Sequence, residues 1–174
     1  RLFEWTNRGD FAHESFAELS REAAQRWPEL ILGAGTVLDA PTAALYAQLG
    51  ANFIVGPTFS ADVARLCNRR RVAYLPGCAT INEIVQAEEW GVEVVKLFPG
   101  DALGPGFVRS LRGPLPRTKI MVTGGVEPTR ESLVAWFGAG AVAVGLGSQL
   151  IPTDLLADRR FDEIEKRLQR LLAL

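Results

Sequence analysis

The chain has 174 residues, 48% hydrophobic and 22% charged, with a formal net charge of −1. That length suits one domain with a sizeable core, and the charge gives nucleic acid or an anionic membrane no hold. No run approaches a membrane span, no signal peptide is visible, and Cys67 and Cys78 lack the spacing of a disulfide framework or a zinc site, which suits a reducing, cytoplasmic setting.

In chain order, Leu2 to Thr6 alternates as a strand, with Glu4 on the opposite face from Phe3 and Trp5. A turn over Asn7 to Asp10 leads into a helix from about Phe11 to Arg26, whose apolar stripe runs Phe16, Leu19, Ala23 and Trp27. Leu30 to Thr36 reads as a strand, and Asp39 with Pro41 marks a helix start before Thr42 to Leu49. Asn52 to Pro57 is the next strand, followed by a helix capped by Ser60 and ending at Arg69-Arg70-Arg71, where cations suit the helix dipole. Val72 to Pro76 is a strand, and Thr80 with Glu83 forms a capping box for a helix to Trp90. Val92 to Pro99 follows as a buried strand, then a short helix over Gly104 to Leu111. Lys119 to Thr123 is a strand closed by Gly124-Gly125, Glu131 to Phe137 a helix, Ala141 to Gly145 a strand, and Leu146 to Gln149 a turn. Thr153 to Leu172 closes the chain as a helical region.

Seven evenly spaced strand–helix units argue for parallel strands joined by right-handed crossovers. An open doubly wound sheet and a closed eight-stranded barrel both fit that alternation. A barrel commonly binds phosphate through the loops after its seventh and eighth strands, and here glycine turns follow the sixth and seventh strands. The expectation is a single α/β domain over residues 1–174, a (β/α)8 TIM barrel in which the first β-strand and helix are missing from the chain.

The strand at Val92 to Pro99 carries the chemistry. Lys96 would share its interior face with Val92, Val94 and Phe98, and burial there disfavours the ammonium. A lysine that sheds its charge is a candidate amine nucleophile for a carbonyl, although a salt-bridged or snorkelling lysine reads the same on the strand alone. Only three lysines stand against sixteen arginines, which suggests that a group able to lose its proton is wanted at this place. Glu4, if its aromatic neighbours face the helices, points inward and can exchange protons with a substrate; otherwise it pairs with Arg8 or Lys96. Arg8 and Thr36 can hold a carboxylate. Gly124-Gly125 and Gly147-Ser148 can offer backbone N–H groups and a hydroxyl to a phosphate, though either loop alone reads as an ordinary turn. No glycine fingerprint for a dinucleotide follows the first strand, and no acidic or histidine cluster demands a metal. His13 reads as an exposed early-helix residue, and Glu88-Glu89 and Asp162-Glu163 as solvated helix faces.

Five segments in order, Phe3 to Asp10, Gly33 to Val37, Pro76 to Thr80, Val95 to Pro99 and Thr123 to Val126, resemble the 2-keto-3-deoxy-6-phosphogluconate (KDPG) aldolase family, which includes 4-hydroxy-2-oxoglutarate aldolases. The resemblance covers Arg1 to about Pro152. It implies a class I aldolase on a TIM barrel, a homotrimer in carbohydrate metabolism that takes a small 2-keto acid and uses no metal or cofactor beyond a covalent Schiff base. Lys96 matches the Schiff-base lysine and Glu4 the general acid/base. Arg8, Thr36, Pro57 and Phe98 match positions around the pyruvyl group, and Gly124, Gly125, Gly147 and Ser148 the phosphate end. Family members carry a further N-terminal segment with the first strand, which this sequence does not show. A 2-keto-3-deoxy-6-phosphogalactonate aldolase is the alternative within the same chemistry. Outside it stand a phosphosugar isomerase or synthase using Lys96 as a fixed charge, and a catalytically silent phosphosugar-binding barrel.

Overall fold

The computed structural model describes residues 1–174, which form two compact units, Arg1–Lys96 and Leu97–Leu174. In the first unit β1 (Leu2–Thr6), α1 (Ala12–Arg26), β2 (Ile31–Gly35), α2 (Ala40–Gln48), β3 (Phe53–Val55), α3 (Ala61–Arg70) and β4 (Ala73–Leu75) alternate strictly. A two-residue strand β5 (Gly77–Cys78), helix α4 (Ile81–Glu89) and β6 (Val95–Leu97) follow. Strands β1 to β4 lie side by side in chain order, all parallel.

The register puts Glu4, Gly33, Phe53 and Ala73 in one row across the sheet, and Trp5, Ala34, Ile54 and Tyr74 in the adjacent row. Parallel partners share a face, so these rows point to opposite sides. The Trp5 row is the helix side: Ala34 and Ile54 are fully buried, and Trp5 Nε1 donates to Ala12 O of α1 at 3.1 Å. Glu4 therefore points away from the helices.

Caps fix where the helices begin. Asp39 Oδ1 accepts from Thr42 N at 2.8 Å, Ser60 Oγ from Val63 N at 3.4 Å, and Thr80 and Glu83 form the expected reciprocal box. The ends of α2, α3 and α4 share one device, in which a residue just past the helix donates to the carbonyl five residues back: Ala51 to Tyr46 O, Val72 to Cys67 O, Val92 to Ala87 O. That is why strands start later than the apolar pattern predicts. Val92, expected in the lysine strand, spends its N–H on terminating α4, and the strand itself is only Val95–Leu97. The same effect moves the start of β4 from Val72 to Ala73.

In the second unit α5 (Gly100–Leu111), β7 (Ile120–Thr123), α6 (Arg130–Ala139), β8 (Ala143–Gly145), α7 (Thr153–Ala157) and α8 (Phe161–Leu172) follow. Strands β7 and β8 pair in parallel, Thr123 opposite Gly145. Ala141, expected at the start of β8, instead donates to Trp136 O and ends α6. Helix α5 begins at Gly100 rather than Gly104, where a break at φ 72°, ψ 168° divides it just before Pro105. The closing region is two helices, interrupted around Arg159 at φ 54°. Trp27 leaves the core stripe because it is the C-cap of α1, beyond the last helical turn; it is 43% exposed, with the Arg26 guanidinium over its ring. His13 is half-buried near the start of α1 rather than exposed. No helix is long and apolar enough to cross a membrane.

Candidate active site

Lys96 sits in the middle of β6, only 8% exposed, between Val95 and Leu97, which are themselves almost wholly buried. Its backbone N–H donates to Pro76 O at 2.9 Å, which ties β6 to the Pro76–Cys78 segment and fixes where the side chain starts. Burial holds the Lys96 amine below the ordinary lysine range; the Glu4 carboxylate pulls it back up and the Arg8 guanidinium pushes it further down. Glu4 moves the opposite way. Burial raises its carboxyl above the usual range, against the lowering influence of Lys96 and Arg8. One side chain is thus disposed to give up a proton and the other to keep one, which is the pairing that imine formation needs from a nucleophile and a general acid.

The room for Glu4 comes from glycine. A β-carbon built on Gly35 would overlap the Glu4 carboxylate, with Glu4 Cδ at 2.6 Å and Cγ at 2.9 Å. Thr36, the next residue, has φ 59°. A β-branched residue in the left-handed region costs of order 1–3 kcal/mol and persists only where its surroundings impose it. The chain there is held on both sides: Asn7 N donates to Gly35 O at 2.8 Å, and Val37 N to Val55 O at 3.1 Å. Arg8 follows Asn7 directly and is exposed. Pro57 lies in the loop after β3, its backbone covering Gly77 so closely that a side chain there would strike Pro57 Cα at 3.1 Å. The first unit accordingly brings Glu4, Arg8 and Lys96 into electrostatic contact. Thr36 and Pro57 stand in the loops after β2 and β3.

In the second unit Phe98 follows directly after β6 and is 37% exposed. Gly124 and Gly125 leave β7 with φ 85° and 68°, and Gly147 and Ser148 lie exposed in the loop after the adjacent parallel strand β8. Both loops therefore leave the same end of one strand pair. Gly125 has a structural duty as well, since a β-carbon there would meet Asp101 Cα at 2.7 Å; Gly147 has open space around it. Sequence reading passed over Thr123, whose hydroxyl is buried without a hydrogen-bond partner one residue before Gly124. The only signal for it was its place in the Thr123-Gly124-Gly125 run.

The cysteines offer no rival nucleophile. Both are free and buried, and burial pushes Cys67 up to about 11 and Cys78 up to about 12, the latter with help from Glu83. No three or more His, Cys, Asp or Glu side chains gather where they could hold a metal ion.

The family described as "Aldolase: KDPG and KHG aldolase" matches residues 1–167. The chain is 31% identical to the 2-dehydro-3-deoxy-phosphogluconate aldolase of Treponema pallidum (strain Nichols), over 100% of this chain and 80% of that protein. It is 37% identical to the 2-dehydro-3-deoxy-6-phosphogalactonate aldolase of Escherichia coli (strain K12) over 121 residues, a match that spans 69% of this chain and 58% of that protein's length. Among solved structures, a KDPG aldolase from Legionella pneumophila, with pyruvate captured as a covalent carbinolamine, superposes with a TM-score of 0.86 over 95% of this chain and 78% of that one, at 22% identity. That likeness is one of fold, and it agrees with the α/β, TIM-barrel type of architecture expected from the strand–helix alternation. The chain belongs to the KDPG and KHG aldolase family.

Proposed function

We propose that this chain is a class I aldolase that cleaves a 2-keto-4-hydroxy acid to pyruvate and an aldehyde, with Lys96 as the imine-forming residue. The observation that carries the reading is the pairing of a buried lysine, its amine shifted toward neutrality, with a carboxyl shifted toward protonation. The neutral Lys96 amine attacks the C2 ketone, and Glu4, directly or through water, delivers the proton with which the carbinolamine loses water. The protonated imine is the electron sink. When Glu4 takes the proton of the C4 hydroxyl, the C3–C4 electron pair flows into the imine nitrogen; the aldehyde departs and an enamine remains. Glu4 returns its proton to C3, and water hydrolyses the resulting imine to pyruvate and free Lys96. Because the iminium supplies the sink, the cycle balances without a metal or an organic cofactor.

Arg8, with Thr36, Pro57 and Phe98, would receive the pyruvyl carboxylate and carbon chain; Gly124, Gly125, Gly147 and Ser148 would receive a phosphate where the substrate carries one. The substrates this reading favours are 2-keto-3-deoxy-6-phosphogluconate, giving glyceraldehyde 3-phosphate, and 4-hydroxy-2-oxoglutarate, giving glyoxylate. The 37% identity to a phosphogalactonate enzyme favours the C4-epimeric acid as a second substrate. A homotrimeric, cytoplasmic enzyme with a single barrel domain belongs to the same reading. The test is borohydride reduction in the presence of pyruvate, joined to an aldehyde-release assay over these three acids. Stable alkylation of Lys96 and release of an aldehyde are expected. Absence of the adduct would leave Lys96 a fixed charge and overturn the aldolase.

A further inference from the structure

Tyr46 is one of only two tyrosines in the chain, 1% exposed on α2, and its hydroxyl donates to Asn7 Oδ1 at 2.8 Å across a sequence separation of 39 residues. Its ring is held edge-on by Phe16 of α1, centroids 5.0 Å apart, so the hydroxyl has little freedom to swing away. Asn7 is held twice: by Tyr46 through its side chain and by Gly35 O through its N–H. The residues next to those two anchor points are Arg8 and the left-handed Thr36. The hydrogen bond therefore ties α2, which follows the Thr36 loop, to the loop that carries Arg8.

We infer that Tyr46 is a positioning residue, whose buried hydroxyl, acting through Asn7, sets the spacing between Arg8 and Thr36 and so tunes the affinity of the site for the carboxylate of a 2-keto acid. The inference rests on the aldolase reading, in which those two residues meet the pyruvyl carboxylate. Packing alone would be served as well by phenylalanine; the hydroxyl is the part that has a directional partner. A salt-bridging side chain in that place would bring a buried charge, whereas a neutral hydroxyl–amide bond is satisfied without one.

The test is Tyr46→Phe, which keeps the ring against Phe16 and removes only the donor, alongside Asn7→Ala, which removes the acceptor from a less buried place. Each is titrated with pyruvate under borohydride, and the rate of alkylation at saturation is read separately from the concentration giving half of it. The loss of one hydrogen bond should raise the half-saturating pyruvate roughly three- to tenfold in either variant, with the saturated rate changed less than about twofold. The double variant should be no worse than the single ones, since both break the same bond. Val63→Ala, in the core of α3, serves as the control: it lowers the melting temperature without moving half-saturation. Unchanged half-saturation in Tyr46→Phe and Asn7→Ala, or additive effects in the double variant, would overturn the inference while the aldolase stands. A wild-type chain that takes no pyruvate adduct at all would instead remove the reading beneath it.

Discussion

The Glu4 carboxylate lies against the bare α-carbon of Gly35, in space that any side chain at position 35 would fill. Gly35 is opposite Thr6 in the sheet, one step along the same face from the Glu4–Gly33 pair, so its lack of a side chain opens a slot beside the carboxylate. Gly35→Ala should therefore displace Glu4 without touching Lys96. Turnover is expected to fall at least roughly tenfold, toward the ~10²–10⁴-fold loss typical when a general acid–base group is removed. Glu4→Gln should show that full loss, and adding Gly35→Ala to it should cost little more. The measurement is kcat in an aldehyde-release assay. Losses that multiply in the double variant would mean that Gly35 serves the strand and not the carboxylate.

Lys96→Arg keeps a positive charge in β6 but cannot supply a neutral amine, because a guanidinium does not lose its proton at accessible pH. Both aldehyde release and pyruvate trapping are expected to vanish. In the native chain, peptide mapping after reduction should place the three-carbon adduct on the Val92–Pro99 segment and not on the exposed Lys119 or Lys166. Retained turnover in Lys96→Arg would end the imine mechanism.

The charges around Lys96 predict opposite shifts in two variants. Burial lowers its affinity for a proton, the Glu4 carboxylate opposes that, and Arg8 adds to it. Glu4→Gln removes the group that favours the ammonium, so the midpoint of Lys96 should fall further. Arg8→Gln removes a cation that disfavours it, so the midpoint should rise toward the ordinary lysine value. Labelling of Lys96 by an uncharged amine reagent, followed by mass spectrometry against pH, reads both without involving substrate. Stability has its own sign. With the folded pKa of Lys96 below the unfolded one, the unfolded chain holds the extra proton, and this residue's contribution rises with pH between the two values. Glu4 does the reverse, its contribution falling as pH climbs from 4.5 to its raised folded value. Midpoints that move together in the two variants would show that neither charge acts on Lys96 directly.

Much of this was legible in the residues because local and tertiary signals agree. Ser60 and the Thr80–Glu83 box mark helix starts that the structure keeps to the residue, and Asp39 caps α2, which begins at Ala40 rather than Thr42. Alternation set Glu4 opposite Phe3 and Trp5, and the Trp5–Ala12 hydrogen bond decides that the Trp5 face is the helix side. The starts of three strands were not legible, because Val72, Val92 and Ala141 look like strand residues yet give their N–H groups to helix ends. Thr36 was not readable as a left-handed residue, since nothing in its side chain announces that conformation and the neighbouring loops impose it. The Tyr46–Asn7 bond joins residues 39 apart and leaves no local trace in the sequence.

The two glycine loops of the second unit pose a question of ligand against structure, and Ser148 separates the two better than the glycines do. Gly125 is already required by its contact with Asp101, and Gly124 by its φ of 85°, so a side chain at either would disturb the fold whatever the loop binds. Ser148 is exposed and carries no such duty. If Ser148 holds a phosphate, Ser148→Ala removes one hydrogen bond to a charged acceptor, about 1.5–3 kcal/mol, or very roughly 10–150-fold in kcat/KM. That loss is expected with 2-keto-3-deoxy-6-phosphogluconate. With unphosphorylated 4-hydroxy-2-oxoglutarate the change should be less than about twofold, because the proposed mechanism assigns its keto-acid end to Lys96, Arg8 and Thr36. Gly147→Ala, in open space, is the companion variant: it should fold normally and reduce only the phosphorylated reaction if the loop's backbone approaches the anion. Equal losses on the two substrates would make the loops structural, and the enzyme would then be an aldolase of unphosphorylated keto acids.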